Sequence, residues 1–248
     1  MPPTTDRTSL TLLGSGEFEP WTAELDRWAL ARSRDPDGVV LVAPAASAHE
    51  GDHVFERWAR MGIAHYRSLG LPVEVLDLRT PEDAHREELV ARLATASLIT
   101  FSGGNPARLA GILAGSPLWT ALRAAVADGL PYAGCSAGVS ALCSIAFDNE
   151  ARRPGKMWKP GLGALRDVLV APHWDAIDRW VPGATWAILR KVPDGHAFLG
   201  LDERTAVIGE GTRWQVVGRG AAHVRRPGGE MERHAAGETF DLPIGPLR

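Results

Sequence analysis

Short, largely apolar runs alternate with amphipathic stretches along most of the chain. Leu10–Leu13, Val39–Val42, Val73–Leu76, Leu98–Phe101 and Pro131–Ala133 are such runs. Apolar runs with little polar alternation suit strands buried on both faces, as in a parallel sheet. Between them, Pro20 fits the first position of a helix through Ala31. A second helix is predicted from near Ser47 to just before Gly70. Thr80-Pro81-Glu82-Asp83 reads as the N-cap, proline and acidic first turn of a third, with Leu89, Val90, Leu93 and Ala94 on one face. Pro106–Ala114 and Pro117–Ala127 predict two more. This alternation predicts an α/β fold: a mostly parallel sheet with helices on both faces.

The pattern changes near the C-terminus. Ala197–Leu201, Thr205–Ile208, Trp214–Val217 and Ala222–Arg225 are short strand-like runs separated by turns, several of them glycine-bearing, and predict antiparallel hairpins appended to the sheet. Phe147–Lys159 is polar, includes Arg152-Arg153-Pro154-Gly155, and reads as a long loop. No linker, repeat or low-complexity tract interrupts the 248 residues, so 1–248 is expected to form one domain.

Composition narrows the function. There are 27 Lys and Arg against 30 Asp and Glu, a formal net charge of −3. That balance argues against a general nucleic-acid binder or a polybasic membrane-surface protein. Cys135 and Cys143 are the only cysteines, too few for a disulfide framework or a four-cysteine zinc site. No signal peptide or membrane-spanning run is evident, so a cytoplasmic protein is the expectation.

Gly134-Cys135-Ser136-Ala137-Gly138 is the strongest chemical signal. It matches G-x-S-x-G and lies between a predicted strand, Leu130–Ala133, and a small-residue helix pattern, Ala137–Ser144. Such a turn pushes the serine into the open and aims the next N–H, on Ala137, at a developing oxyanion. Cys135 occupies the inward-facing position. Of eight histidines, His173 stands out because it ends an apolar strand, Val168–Pro172, where open α/β sheets place their ligands. Trp174 beside it is a candidate pocket wall. Asp202 and Glu203 follow the run Phe198–Leu201 and offer an acid to orient the imidazole. Ser102-Gly103-Gly104-Asn105-Pro106 is a second glycine loop, suited to anion contact through its backbone and capped by Asn105. His49-Glu50-Gly51-Asp52-His53 spells the H-E-x-x-H zinc signature, with Glu74 a conceivable third ligand. Gly51 in its middle and its place at a helix start argue for a polar first turn instead.

Together these segments resemble peptidase family S51, the cyanophycinase and peptidase E group. The resemblance runs from Gly14-Ser15-Gly16-Glu17 and the Pro44 turn through Phe101–Asn105 with Arg108-Leu109, the Ser136 loop, Pro172-His173, and Gly200-Leu201-Asp202-Glu203-Arg204-Thr205-Ala206. It implies a fold similar to class I glutamine amidotransferases and a serine peptidase with a Ser-His-Glu triad. Carried over by position, Ser136 is the nucleophile, His173 the base and Glu203 the acid, with the Gly104 and Ala137 amides as oxyanion donors. Gly103, Asn105 and Arg179 join the substrate-binding set. The implied substrate is a small peptide or amide, aspartyl or isoaspartyl in type, with no cofactor and no metal. A monomer or homodimer is expected. The family carries several arginines shortly after the histidine; here there is only Arg179, and Arg152, Arg153, Lys156 and Lys159 are possible substitutes. The alternative is a catalytically silent binding member of the same fold.

Overall fold

A computed structural model describes residues 7–153, 156–244 and 247. The first half alternates strand and helix. In order it runs β1 (Leu10–Leu13), α1 (Ala23–Leu30), β2 (Val39–Ala43), α2 (Asp52–Ser68), β3 (Val73–Val75), α3 (Glu87–Arg92), β4 (Ala96–Phe101), α4 (Pro106–Leu113), α5 (Pro117–Ala127), β5 (Tyr132–Cys135) and α6 (Ala137–Ser140). A hairpin of β6 (Ile145–Phe147) and β7 (Trp158–Pro160) follows, then β8 (Val168–Ala171) and two short helices, α7 (Ile177–Trp180) and α8 (Ala184–Leu189). The remainder is β9 (Ala197–Leu201), β10 (Thr205–Gly209), β11 (Arg213–Gly218), β12 (Ala221–Arg225), β13 (Met231–Ala235) and β14 (Thr239–Asp241).

The main sheet has the order β14-β11-β10-β1-β5-β4-β2-β3. From β1 to β3 every neighbouring pair is parallel; β10, β11 and β14 extend it antiparallel. Alternate residues of its strands serve opposite faces. Leu10, Leu12, Leu41 and Ile99 pack with α4 and α5 through Leu109, Trp119 and Leu122. Leu13 packs with Leu25 of α1, and Val40, Val42 and Leu98 with Ala29 and Tyr66 on the opposite face. Burial on both faces is what the apolar runs of β1, β2 and β4 predicted.

Several expectations shift. β5 starts two residues later than predicted, so Gly134 and Cys135 belong to the strand and pair beside Leu12 and Leu13 of β1. The second helix is interrupted: a 3-10 segment over Ala45–Glu50 ends at Gly51, whose φ of 107° no ordinary helical residue adopts, and α2 begins after it. The third helix starts later, because the Asp83 carboxylate accepts the Arg79 and Thr80 amides and closes a separate turn there. Those bonds also hold the Asp83 carboxyl below its usual value against the opposing effect of burial.

The C-terminal hairpins do not all join the main sheet. β9 and β12 pair with each other, with β8 and with β13 in a second sheet of order β13-β12-β9-β8. The chain crosses between sheets at the turn Asp202–Arg204, where Arg204 has φ of 52°. The predicted loop 147–159 stands on the β6–β7 hairpin, with Pro154 and Gly155 outside the described residues. No single helix among the described residues is long and apolar enough to cross a membrane. α4 and α5 together reach the length, but they meet at 97° and pack on the sheet.

Candidate active site

The loops after β1, β4 and β5 leave the same edge of the parallel sheet, the carboxyl ends of its strands. The turn after β5 carries Ser136 at φ 49° and ψ −101°, a conformation that costs a non-glycine residue on the order of 1–3 kcal/mol. Packing enforces it. A Cβ on Gly134 would lie 2.7 Å from the Gly138 carbonyl oxygen, and one on Gly138 would lie 2.6 Å from that of Phe101. Only glycines let α6 turn back this tightly on the sheet. The Ser136 amide donates to Leu13 at 3.0 Å, and the buried Tyr132 hydroxyl donates to the Gly138 carbonyl at 2.6 Å.

His173 follows β8 in the second sheet, also at positive φ, 54°. Its Nε2 lies 2.9 Å from Ser136 Oγ and its Nδ1 3.2 Å from Glu203 Oε1. Glu203 sits in the crossing turn, where its amide donates to the Asp175 carboxylate at 2.8 Å. Asp202 points the other way. It is buried, accepts the Ala221 amide at 2.9 Å and contacts His223 Nε2 at 2.9 Å. Adjacent side chains at a strand end face opposite sides, and here only Glu203 reaches the imidazole.

The glycine loop after β4 lies alongside. A Cβ on Gly103 would be 3.6 Å from Ser136 Cβ. Gly104 has φ of 144°, and a Cβ there would strike the Ala46 carbonyl group at 2.4 Å. Among the described residues neither the Gly104 nor the Ala137 amide donates a hydrogen bond within the protein. Gly103 departs from expectation: its amide is already committed to the Glu17 carboxyl group at 2.7 Å. Asn105 departs too. Its side chain caps α4, accepting the Ala107 and Arg108 amides, and donates to Asp148 at 2.9 Å, so it is spent on structure. The Asn105 bond, backed by the charges of Lys159 and Arg108, keeps the Asp148 carboxyl below its usual range.

Trp174 is half-buried. Its ring packs over Gly200, where a Cβ would meet it at 2.7 Å, and lies 4.6 Å from the Phe198 ring. The ring in contact with the His173 imidazole is Trp180 of α7, with ring centres 5.0 Å apart and 58% of its surface exposed. Arg179, next to it, is exposed. Arg152, Arg153 and Lys156 are also exposed, while Lys159 lies in β7. Both cysteines are buried. Burial pushes the Cys143 thiol up to about 12, and burial together with the Glu17 carboxyl raises Cys135 well above an ordinary thiol. Neither is poised as a thiolate nucleophile.

The H-E-x-x-H match does not form a metal-binding face. Gly51 separates His49 from α2, His49 Nε2 approaches Glu150 at 3.6 Å, and Glu74 pairs with Arg92. Two histidines bind one ion from this motif only when one continuous helix presents both.

Residues 10–217 match the model of peptidase family S51. The chain belongs to that family. Its similarity to a cyanophycinase from Nostoc sp. (strain PCC 7120) is 27% identity over 233 residues, 91% of this chain and 76% of that protein. A cyanophycinase from Synechococcus elongatus is 32% identical over 200 residues, 77% of this chain and 59% of the relative. Among solved structures, a peptidase from an acI-B1 actinobacterium superposes with a TM-score of 0.85 at 31% identity, covering 95% of this chain and 97% of the other. A peptidase E candidate from Listeria monocytogenes EGD-e shares the fold, with a TM-score of 0.60 at 19% identity over 88% of this chain and 98% of its own. Membership of S51 makes the chain a peptidase, a hydrolase acting on peptides.

Glu17, Asp175 and Trp180 join the site through contacts that the sequence alone does not show. Glu17 stands in the first-strand glycine loop, where Gly14 and Gly16 without a glycine at 19 make no dinucleotide fingerprint. Asp175 and Trp180 follow His173 at two and seven residues; only their contacts in the fold distinguish them.

Proposed function

We propose that this S51 peptidase is of the serine type and hydrolyses a small peptide or amide through an acyl-enzyme on Ser136. The observation that carries the proposal is the chain of contacts from Ser136 Oγ to His173 Nε2, 2.9 Å, and from His173 Nδ1 to Glu203 Oε1, 3.2 Å. In the first step Ser136 Oγ bonds to the scissile carbonyl carbon while His173 takes its proton. The oxyanion lies between the Gly104 and Ala137 amides. The C–N bond then breaks and His173 returns the proton to the leaving amine. Water repeats the sequence on the acyl-enzyme, with His173 as base, and frees Ser136. Glu203 holds the imidazole in the tautomer whose Nε2 can accept, and stabilises the imidazolium.

Similarity to cyanophycinases supports an aspartyl or isoaspartyl substrate, and Arg179 is the exposed cation on the helix after His173. Release of free amino acids from α-aspartyl, β-aspartyl and neutral dipeptides tests the reading. Hydrolysis is expected to continue in excess chelator and to stop after treatment with a fluorophosphonate. Activity that a chelator removes and zinc restores, and that a fluorophosphonate leaves alone, would overturn it.

A further inference from the structure

Glu17 lies outside the Ser136–His173–Glu203 chain of contacts, yet it touches both loops that flank Ser136. It sits in the loop after β1, with only 9% of its surface exposed. Its Oε1 accepts the Gly103 amide at 2.7 Å and its Oε2 accepts the Cys135 thiol at 2.8 Å. Each donor stands one residue before a functional position. Gly103 precedes Gly104, and Cys135 precedes Ser136 and its neighbour Ala137. We infer that Glu17 is a positioning residue: by tying both loops to one carboxyl group it sets the separation of the Gly104 and Ala137 amides that receive the oxyanion. The inference rests on the serine-peptidase reading above.

Three observations support it. First, the sheet does not join the Gly103 loop directly to Cys135, which pairs only with Leu13 of β1 on its other side. The β4–β5 ladder ends at the pair Phe101–Gly134, one residue before Ser102 and Cys135. Beyond that point Glu17 bridges the two chains. Second, the orientation of Gly103 constrains Gly104. With the Gly103 amide turned inward to Glu17, and the Asn105 amide bound to the Ala46 carbonyl at 2.9 Å, the intervening peptide is clamped at both ends. Contact with Ala46 holds Gly104 at φ 144°. The Gly104 amide is the donor left over. Third, Glu17 is a buried carboxyl group whose two oxygens are occupied by the Gly103 amide and the Cys135 thiol. An apolar side chain would fill the space but would leave the two loops untied.

Oxyanion stabilisation depends on donors standing where charge develops, so a small shift of one loop costs rate and leaves initial binding alone. The fluorophosphonate probe reads this without knowledge of the natural substrate. Ser136 Oγ bonds to phosphorus, fluoride leaves, His173 takes the proton, and the phosphoryl oxygen occupies the oxyanion position. The test compares kinact and KI for wild type, Glu17→Gln and Glu17→Met. Glutamine keeps an acceptor for Gly103 and presents an N–H to the Cys135 sulfur. Methionine matches the length and offers only a weak acceptor. Expected is a kinact about 10²-fold lower for Glu17→Met and within about tenfold of wild type for Glu17→Gln, with KI unchanged within about threefold in both. Wild-type kinact in the methionine variant, a loss that appears in KI instead, or a glutamine variant as slow as methionine overturns the inference. If Glu17→Met does not fold, Cys135→Ala carries the test: kinact about tenfold lower at constant KI supports the tie, and an unchanged kinact overturns it. Absence of any Ser136 adduct in wild type is a separate outcome; it removes the serine reading and this inference with it.

Discussion

Ser136→Ala is expected to lower kcat on the order of 10⁶-fold in a protein that remains folded. In the proposed mechanism Oγ is the atom that bonds to the substrate carbonyl, and the neighbouring thiol is not placed to replace it. The Cys135 thiol, one residue away, is buried and donates to Glu17. The fold does not depend on Oγ. The turn is imposed by Gly134 and Gly138 and by the Ser136 backbone bonds to Leu13, Val139 and Ser140. Alanine has the same Cβ, so the strain at φ 49° is unchanged. What is lost is one hydrogen bond to a partly exposed imidazole, worth less than about 1 kcal/mol. The measurement is kcat alongside the thermal midpoint. Turnover retained in a folded variant excludes Ser136 as nucleophile.

Glu203→Gln is expected to cost about 10⁴ in kcat with little change in stability. The amide keeps the size of the side chain but can present its N–H to Nδ1, which favours the tautomer whose Nε2 carries the proton and cannot accept one from Ser136. Glu203 is more than one-third exposed, so the folded state does not need its charge. The adjacent Asp202 makes the contrast. Asp202→Asn touches the Ala221 amide and His223, which join the crossing turn to β12, and not His173. It is expected to lower unfolding free energy by about 1–3 kcal/mol, the cost of disturbing buried hydrogen-bond partners, and to leave kcat within about tenfold. Steady-state kinetics and denaturant unfolding on both variants separate the two roles. A crippled Asp202→Asn beside an active Glu203→Gln reverses the assignment of faces.

Much of this arrangement was legible before any coordinates. The apolar runs of β1, β2 and β4 announced strands buried on both faces, and the glycines around Ser136 announced a tight strand-to-helix turn. Pro106 and Pro117, each after a capping Asn or Ser, marked the starts of α4 and α5 to the residue. What hydropathy could not show is which sheet a strand joins. β9 and β10 are equally apolar and buried, and only the turn at Asp202–Arg204 sends them to different sheets. β13 was hidden because its residues are largely exposed and polar, so no apolar alternation betrays an edge strand.

At the site, sequence order and residue type indicated Ser136, His173 and Glu203, which the fold brings into mutual contact. At Gly103, Asn105 and Trp174 residue type suits ligand contact, and the fold adds partners that the sequence does not show: Glu17 for Gly103, Asp148 and the α4 amides for Asn105, Gly200 and Phe198 for Trp174. Glu17 escaped notice for the converse reason. Its two partners lie 86 and 118 residues away, and a glutamate in a glycine loop carries no local sign of burial.

The site of covalent attack tests the central claim most directly. Wild type is treated with a fluorophosphonate, digested, and its peptides weighed and sequenced by mass spectrometry. The account predicts a single adduct on Ser136, formed much more slowly in His173→Ala and not at all in Ser136→Ala. A folded wild type that takes up no probe, or takes it up at another residue while Ser136 stays free, would contradict it.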